Sequence, residues 1–459
     1  MSTAPPPPRV SARLGIPELA RALAGPVLTP ADAGFVDEVA GFNLTVAPAP
    51  VAVVGASSSG DVATAIRHAQ NAELRVGVRA TGHGPSGGDD QYLTVTTHRM
   101  TRVDVDPARR RARVEAGARW RDVLAATAPH GLTGAVGSSS AVGVVGYTLG
   151  GGLSPFGRTV GYAADHVRSL DVVTADGLLR RVDRLDEPDL FWALRGGRDG
   201  LGIVTSMEFD LFDIGSFHGG GMFFDSALAH VVLHLWRQWA PTLPDDAGTS
   251  IALLRLPPDP HLPPVLQGRT VVHLRFTFLG DDSTGDALLA PMRAAGPTLL
   301  DTVGRTPIPA LDGVHMDPVG PMAVLDASAT TESLPADAVD AVLAVAGPEV
   351  DSPLATVEIR LLGGRLDCPQ GPSDSVIGRG SAFNVFTAGV CAGPLGELAA
   401  VHTSAVVDAV APWSDGALLN FAGRLGAAQR NQLWPDDERA RLAAIRSAYD
   451  PHGVLRPAR

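Results

Sequence analysis

Lysine is absent from the 459 residues, so all 37 strongly basic side chains are arginines. The absence excludes a P-loop, whose pattern ends in Gly-Lys-Ser/Thr. Exclusive use of arginine, with abundant alanine, glycine and proline, suggests a GC-rich bacterial genome. Cysteine is nearly as rare. Cys368 and Cys391 are too few for a disulfide framework, so we expect two free thiols and a cytoplasmic protein.

Long apolar runs and an excess of positive charge are also missing. No apolar run reaches the roughly 18 residues that a membrane-spanning helix needs. The proline-rich segment Met1–Arg9 lacks the apolar centre of a signal peptide. The net charge of -12 argues against nucleic acid or an anionic membrane as a partner. We therefore expect a soluble protein.

A glycine-rich loop with one histidine is the first positive signal. Val51–Val54 is predicted to be a strand, followed by a helix that Ser59 or Asp61 caps and by a second strand, Leu74–Val78. The loop Val78–Gly88 comes next and reads VRATGHGPSGG. Small residues let a backbone approach a ligand closely, and their N–H groups can converge on phosphate oxygens.

A second glycine-rich stretch strengthens this interpretation. Gly137–Gly152 contains six glycines in sixteen residues, interrupted by valine and leucine. Such a composition suits neither a helix interior nor a regular strand. It suits a backbone laid against a flat, extended ligand.

These loops and three later motifs resemble the berberine-bridge-enzyme-like flavin oxidases. That family belongs to the vanillyl-alcohol oxidase and p-cresol methylhydroxylase superfamily, and we place the chain in its bacterial branch. The later motifs are PDLFWALRGG at 188–197, GIVT at 202–205, and the pair Asn420-Phe421 with Tyr-Asp-Pro at 449–451. The resemblance runs from about Pro50 to Leu211 and resumes at Asn420.

The resemblance implies an α+β fold with a two-part FAD-binding domain of the p-cresol methylhydroxylase type. We expect this domain in residues 1–214, with residues 1–12 disordered. A substrate-binding domain, an antiparallel sheet with helices on one face, should occupy residues 215–412, after a boundary marked by four glycines in Gly215–Gly221. Residues 413–459 should return to the first domain.

The resemblance also implies FAD as the cofactor, with a covalent bond from His83 to the flavin ring. The alternative for His83 is a loop histidine that only hydrogen-bonds its neighbours. Ser139 stands where many relatives carry a second attachment through cysteine, so we predict a single bond. The residues assigned to FAD are Arg79, Ala80, Thr81, Gly82, His83, Gly84, Pro85, Ser86, Gly137, Ser138, Ser139, Val142, Gly143, Gly146, Tyr147, Gly152, Ile203, Val204 and Asn420.

The acid–base residue is harder to assign. Relatives often carry a tyrosine two positions before the Asn420 equivalent, in a C-terminal strand, but this chain has Leu418 there. Alternation of polar and apolar residues gives each of two predicted strands one polar face. His273, Arg275 and Thr277 share the polar face of the first strand, and Glu358 and Arg360 share that of the second. The catalytic candidates are therefore Arg360, Glu358, His273 and Tyr147, with Asn384 outside them.

Each candidate also has a purely structural interpretation. Glu358 and Arg360 can form an ion pair on a sheet face, and His273 can be a packed or exposed histidine. We assign no metal ligands. The expected function is an FAD-dependent oxidase, monomeric or homodimeric, that takes a hydride from an alcohol, a sugar or a secondary metabolite and is reoxidised by oxygen. The alternative is a flavin-containing cyclase or binding scaffold without net redox chemistry.

Overall fold

The computed structural model describes residues 14–84, 91–369, 371–391, 393, 395–426, 429–430 and 432–455. The predicted disorder of residues 1–12 and the cofactor assignments of Pro85 and Ser86 lie outside these ranges. Within them, no helix is both long enough and apolar enough to cross a membrane.

The N-terminal part of the described chain contains a small, mainly parallel sheet in the order β1-β2-β4-β3. Its helices and strands are α1 (Ile16–Ala22), β1 (Val27–Leu28), α2 (Phe35–Val39), β2 (Ala52–Gly55), α3 (Ser59–Asn71), β3 (Arg75–Arg79) and β4 (Tyr92–Thr96). Helix α3 is the expected crossover, but Ser58 caps it, because the Ser58 hydroxyl accepts the Asp61 N–H. The cap was predicted at Ser59 or Asp61 and lies at Ser58.

A second sheet follows, antiparallel and in the order β5-β6-β9-β7-β8. Its members and their helices are β5 (Val103–Asp106), β6 (Arg111–Glu115), α4 (Trp120–Thr127), α5 (Val144–Leu149), α6 (Gly157–Val160), β7 (Val167–Val173), β8 (Leu179–Val182), α7 (Pro188–Leu194) and β9 (Ile203–Asp210). The two sheets share a core boundary, since Val173 and Ile203 pack with the strands of the first sheet.

The third sheet is large and antiparallel, in the order β13-β10-β12-β11-β16-β17-β15-β18, with β14 also paired to β10. Its strands are β10 (Ser216–Asp225), β11 (Ala247–Arg255), β12 (Thr270–Phe278), β13 (Thr298–Asp301), β14 (Gly304–Pro307), β15 (Val324–Thr331), β16 (Leu354–Leu361), β17 (Phe383–Val390) and β18 (Ser414–Gly416). The accompanying helices are α8 (Ala229–Trp239), α9 (Asp282–Arg293), α10 (Asp312–His315), α11 (Ala336–Ala346) and α12 (Leu395–Val410), and α13 (Asp436–Tyr449) is the last helix of the described residues.

Alternation divides this third sheet into two faces, as predicted. Val272 and Leu274 on β12, with Ile359 on β16, enter an apolar core with Trp236 of α8 and Val339 of α11. The long helices therefore cover one face. The alternate residues of both strands point to the other face, where the charged side chains meet. The predicted α+β fold, with an antiparallel sheet carrying helices on one face, is confirmed.

One local prediction was wrong, that of a C-terminal strand around Asn420. The glycine-rich segment Gly215–Gly221 lies mostly in strand β10, Ser216–Asp225. Gly221 lies beside the His273 ring, where a Cβ atom would overlap the imidazole, so packing explains this glycine. Leu418–Ala422 is a turn after β18 and not a strand.

The domain limits remain a proposal. Strand β10 starts close to the proposed limit at residue 215. Strand β18 pairs with β15, so residues 414–416 still belong to the large sheet. Leu442 and Ile445 of α13 pack in the core of the second sheet, as expected for a segment that returns to the first domain.

Candidate flavin and substrate site

Backbone hydrogen bonds from a neighbouring segment hold the His83 loop in place. The N–H groups of Phe42 and Asn43 donate to the carbonyls of Thr81 (2.9 Å) and Gly82 (3.0 Å). Gly82 has φ +69°, and a Cβ atom there would come within 2.7 Å of the Gly41 Cα. Glycine is therefore required by both conformation and space. Gly84, on the outer side of the loop, is exposed.

Arg79 supports this loop. It is buried at the end of β3, and its Nη1 donates to the Val39 carbonyl at 2.9 Å. Burial lowers the pKa of its guanidinium. The neighbouring Ala80 is half-buried. The bond to Val39 indicates a structural role for the Arg79 side chain.

His83 is half-buried and rigidly oriented. Its ring stacks on Phe42, with centroids 4.2 Å apart and an interplanar angle of 10°. Its Nδ1 lies 2.9 Å from the Thr81 hydroxyl. Burial and, to a lesser extent, the charge of Arg119 lower the pKa of His83 to about 4. The imidazole is therefore neutral at neutral pH and keeps a nucleophilic lone pair.

The second glycine-rich stretch lies against the first. Gly143 is next to Thr81, because a Cβ atom at Gly143 would lie 3.3 Å from the Thr81 Cγ2. The neighbouring Val142 is half-buried against the core. Gly146 is exposed, with open space where a side chain would be. The two predicted flavin loops thus form one continuous surface with room above it.

The serines of this stretch contact a distant segment. The Ser138 hydroxyl donates to Asp317 at 2.6 Å, and the Ser140 N–H donates to Asp312 at 2.8 Å. Ser139, between them, is half-buried. Asp312 is the first residue of helix α10, so these hydrogen bonds join the second glycine-rich stretch to α10.

The Tyr147 side chain packs against its neighbours and uses its hydroxyl in a hydrogen bond. Its hydroxyl donates to the Ala135 carbonyl at 3.0 Å, and its ring meets Trp120 edge-on at 5.6 Å. Gly137 and Gly152 leave space for this ring, since a Cβ atom at either would come within 2.9 Å and 2.6 Å of it. Burial raises the Tyr147 pKa. This geometry does not favour Tyr147 as an acid–base group.

The remaining cofactor assignments differ in character. Ile203 and Val204 are buried on β9, and their side chains pack in two separate cores. Asn420 holds the C-terminal segment against α5, because its Nδ2 donates to the Tyr147 carbonyl at 2.8 Å. Its Oδ1 accepts from Arg198 at 3.4 Å. Adenine contact by Ile203 and Val204 stays a prediction.

A buried cluster of charges lies on the face of the large sheet opposite the long helices. Glu358 accepts from Arg360 Nη2 at 3.0 Å and pairs with Arg275 Nη1 at 2.9 Å. The strand register aligns Arg275 on β12 with Ser250 on β11, and Ser250 with Arg360 on β16. Residues far apart in sequence therefore form one polar row.

Two histidines complete the cluster. Arg360 Nη2 donates to His315 Nε2 at 3.1 Å, and Arg275 Nε donates to His273 Nδ1 at 3.2 Å. Because arginine can only donate, each contacted ring nitrogen must be the acceptor, and the other nitrogen carries the proton. Burial and the nearby arginines lower the pKa of both histidines well below the usual value. Both are neutral donors at neutral pH.

Glu358 is the anion of the cluster. Burial alone would raise its pKa, but the charges of Arg360 and Arg275 outweigh burial and hold the pKa below its ordinary value. The carboxylate is therefore ionised and engaged by two guanidiniums, and it is a poor base. The structural interpretation of Glu358 and Arg360 as an ion pair describes the geometry, although the pair is buried and extends to Arg275.

A cleft opens beside this cluster. The sheet cleft, as we name it, has about 360 Å³ of empty space that is partly open to solvent, and its walls include Leu153, Ser250, Arg275, Thr277, His315 and Arg360. Arg360 Nη1 is buried and has no hydrogen-bond partner among the described residues. His273 is absent from the described lining, because it lies behind Arg275 and stacks on Phe223 at 3.9 Å. Asn384 is buried and faces Arg360 across β16 and β17.

A second cleft shares Leu153 with the first. The tyrosine cleft has about 200 Å³ of empty space that is partly open to solvent, and its walls include Gly152, Leu153, Tyr162, Leu418, Asn420 and Phe421. Leu418, at the position where relatives carry tyrosine, packs in an apolar cluster with Tyr162. The Tyr162 ring is buried, and its hydroxyl has no partner among the described residues. Arg379 lies over this ring at 5.0 Å.

Three residues of these clefts were not predicted as site residues from the sequence. His315 comes from the short helix α10, in a segment with no recognisable motif. Arg275 was placed on the correct strand face but was not proposed as a site residue. Tyr162 carried one signal, because it is one of only four tyrosines in the chain.

Comparison with known proteins agrees with this geometry. Residues 50–183 match the family model described as an FAD binding domain. The (R)-6-hydroxynicotine oxidase of Paenarthrobacter nicotinovorans is 30% identical over 236 residues, which cover 50% of this chain and 48% of that enzyme. The chain spans about a third to a half of the length of the curated relatives it matches.

Two solved structures match along nearly the whole chain. The BBE-like 1 protein of Physcomitrella patens gives a TM-score of 0.81 at 19% identity, covering 95% of this chain and 96% of the other. The Acremonium strictum glucooligosaccharide oxidase gives a TM-score of 0.81 at 20% identity, covering 97% of each chain, and its FAD is described as 6-S-cysteinyl, 8α-N1-histidyl. These organisms differ widely, so the bacterial branch stays a prediction, as do the cytoplasmic location and the oligomeric state. Over its described residues, the chain has the fold of these two solved structures, and its residues 50–183 match an FAD binding domain.

Proposed function

We propose that the protein is an FAD-dependent oxidoreductase that oxidises a small, oxygen-bearing organic substrate. The observation that carries the proposal is the junction of two features: the two glycine-rich loops meet at Thr81 and Gly143, and an arginine-lined cleft lies on the sheet face beyond them. The match of residues 50–183 to an FAD binding domain supports the cofactor.

The residues present fit FAD. Gly84 and Gly146 are exposed along the joined loops, and Gly146 has open space above it. Bound there, the flavin would accept the hydride that leaves the substrate. His83 would be the attachment residue, since its lowered pKa keeps the imidazole neutral and its stacking on Phe42 fixes the ring. Ser139 would make no second bond, because an alcohol does not form the thioether.

Arg360 is the residue we assign to the substrate. Its Nη1 has a donor N–H without a partner, at the wall of the sheet cleft. The guanidinium would donate to a substrate oxygen and stabilise negative charge that develops there. Glu358 would hold Arg360 and Arg275 in place, so it is a positioning residue. The excess of positive charge in the cluster suits an alcohol, a sugar or a carboxylate-bearing metabolite.

Tyr162 is the residue we propose in place of the missing tyrosine. It lines the cleft that also contains Leu418 and Asn420, and its hydroxyl is buried without a partner. Burial raises the Tyr162 pKa, although Arg379 opposes this effect. At neutral pH the hydroxyl is therefore protonated, and it would donate a hydrogen bond that orients a reacting group.

The second candidate is a flavin-containing cyclase or scaffold without net redox chemistry. The specific observation in its favour is that the accepting atoms of the cluster are occupied. Glu358 is engaged by two arginines, and His315 Nε2 accepts from Arg360. A substrate proton would then have to leave to solvent or to a group beyond this cluster.

The first experiment tests the cofactor and its attachment. Purified protein is precipitated with acid, and the flavin remaining in the pellet is measured by absorbance. We expect a yellow pellet from the wild type, a colourless pellet from His83→Ala, and acid-stable flavin restored in His83→Ala/Ser139→Cys if position 139 corresponds to the second attachment site. Release of all colour by the wild type would contradict covalent attachment, and protein without flavin would contradict the proposed function.

The second experiment separates the two functions. The flavin-loaded protein is mixed anaerobically with a panel of alcohols, sugars and hydroxy acids, and the flavin absorbance is followed before oxygen is admitted. Bleaching by a panel member and its reversal by oxygen are expected for an oxidase. A substrate that is converted without bleaching would favour the cyclase.

A further inference from the structure

The outer surface of the large sheet's helix layer carries a cluster of nitrogen and oxygen ligands that the proposed oxidase chemistry does not use. His230 and His234 lie on α8, and Asp340 lies on the neighbouring helix α11. Their ligand atoms are all within 4.8 Å of one another. We propose that these three side chains form a divalent-metal site suited to Zn²⁺, which joins α8 to α11.

Helix geometry brings the two histidines together. His230 and His234 are four residues apart, so they lie on the same face of α8 one turn apart. Their ring centroids are 4.4 Å apart. The opposite face of α8 is anchored, because Val232, Leu233 and Trp236 are buried in the core. The core therefore fixes which way the histidine face points, and it points at α11.

The distances fit a tetrahedral ion. His234 Nε2 lies 3.0 Å from Asp340 Oδ1, and His230 Nε2 lies 3.6 Å from the same oxygen. In a tetrahedral zinc site with bonds of about 2.0–2.1 Å, ligand atoms are about 3.3 Å apart. Small side-chain rotations would equalise the two distances. Imidazole nitrogen with one carboxylate favours Zn²⁺ over Mg²⁺ or Ca²⁺, which prefer oxygen alone.

The histidines have the exposure that metal entry requires. The His230 side chain is 72% exposed and that of His234 is 18% exposed. Without metal, His234 donates its Nε2 proton to the Asp340 side chain, because a carboxylate oxygen only accepts. Binding would need the other neutral tautomer, with the proton on Nδ1 and the Nε2 lone pair on the ion. Three protein ligands leave a fourth position for water.

The site would act on stability and not on the reaction. It lies on the helix layer, whereas Arg360 and Glu358 point from the opposite face of the sheet. A metal that binds only the folded protein stabilises it by mass action. Because His234 and Asp340 are 106 positions apart in the sequence, an ion between them would join two distant parts of the large-sheet domain.

The test uses the flavin-loaded, full-length protein without a histidine tag, titrated with ZnCl₂ by calorimetry. We expect one tight Zn²⁺ per chain, and an affinity weakened about tenfold or more in His230→Ala, His234→Ala and Asp340→Asn. Saturating Zn²⁺ should raise Tm by roughly 2–4 °C in the wild type, and EDTA should reverse the rise. His261→Ala, which removes an exposed histidine of the same domain, is the matched control and should behave as the wild type.

Three outcomes would overturn the site: no Zn²⁺ binding, equal binding in the control and the cluster variants, or a Zn²⁺-dependent Tm rise that persists in His234→Ala. Each outcome would mean that the three side chains form only a hydrogen-bonded contact between α8 and α11. Because His230 and Asp340 are exposed, their variants should keep the metal-free Tm of the wild type, so failure to fold would not confuse the result.

Discussion

The loops around His83 and the charged face of the large sheet are held in place by different interactions. The loops are built from small residues held by backbone hydrogen bonds, such as those from Phe42 and Asn43 to the loop carbonyls. The sheet face is built from large charged side chains that hold one another, with Glu358 between Arg275 and Arg360. The first kind of site tolerates few substitutions because space is limited. The second tolerates few because charge must balance.

This difference has an energetic consequence. A glycine replaced in a loop with positive φ strains the backbone locally. A charge removed from a buried cluster leaves its partners unneutralised in a medium of low dielectric, which affects the stability of the whole domain. The flavin side should therefore respond to mutation mainly through cofactor retention, and the sheet face through both folding and substrate turnover.

The largest expected effect comes from removing the anion of the cluster. Glu358→Gln should destabilise the protein by about 3–5 kcal/mol, because two buried guanidiniums lose their counter-charge. The free energy of unfolding in urea measures this loss. Glu397→Gln, at an exposed glutamate of α12, is the control and should change it by less than about 0.5 kcal/mol. Equal effects would mean that solvent reaches the cluster.

Arg360→Lys should affect turnover more than folding. Lysine keeps the positive charge but cannot hold Glu358 and donate to a substrate oxygen through one planar group. We expect kcat/KM for a substrate identified by bleaching to fall about tenfold to a hundredfold, the equivalent of a lost charge-assisted hydrogen bond. Arg305→Lys, on the exposed edge of the sheet, should leave kcat/KM unchanged. An unchanged value for Arg360→Lys would remove Arg360 from the substrate site.

Tyr162→Phe should separate function from stability. The Tyr162 hydroxyl is buried without a partner, so its removal should leave the free energy of unfolding unchanged or slightly increased. Loss of an orienting hydrogen bond should slow bleaching about tenfold. In Tyr449→Phe the hydroxyl that donates to Glu187 is lost, so stability should fall while bleaching is unaffected. If Tyr162→Phe bleaches at the wild-type rate, the residue is a packing residue only.

The two regions also differ in what their sequences disclose. The flavin loops were predicted as a unit because each is contiguous in sequence and rich in glycine, and a glycine pattern is local information. On the sheet face, alternation correctly assigned Glu358 and Arg360 to one side of β16. It could not reveal that Arg275 reaches Glu358, since the pairing of β12 with β11 and of β11 with β16 depends on tertiary register. The contact of His315 with Arg360 could not be predicted for the same reason, since it too depends on tertiary structure.

The smallest expected effect is a pH-dependent one, at a carboxylate on the sheet face that carries Arg360. Burial raises the Asp326 pKa from 3.8 to about 6. The folded protein therefore keeps this proton at pH values where the unfolded chain has released it. The stability that Asp326 contributes is present below its unfolded pKa, and it is lost as the pH rises through about 6.

Asp326→Asn keeps a neutral side chain at every pH, so it should be more stable than the wild type by roughly 1–2 kcal/mol near pH 8, with the gap closing towards pH 4. Urea unfolding across this range measures the gap. Asp408→Asn, at an exposed aspartate of α12, should show no such convergence. A constant gap for Asp326→Asn would mean that hydrogen bonding and not titration separates the two proteins. The pH dependence of stability would then come from groups other than Asp326, and the charges on this sheet face would be those of Arg275, Glu358 and Arg360.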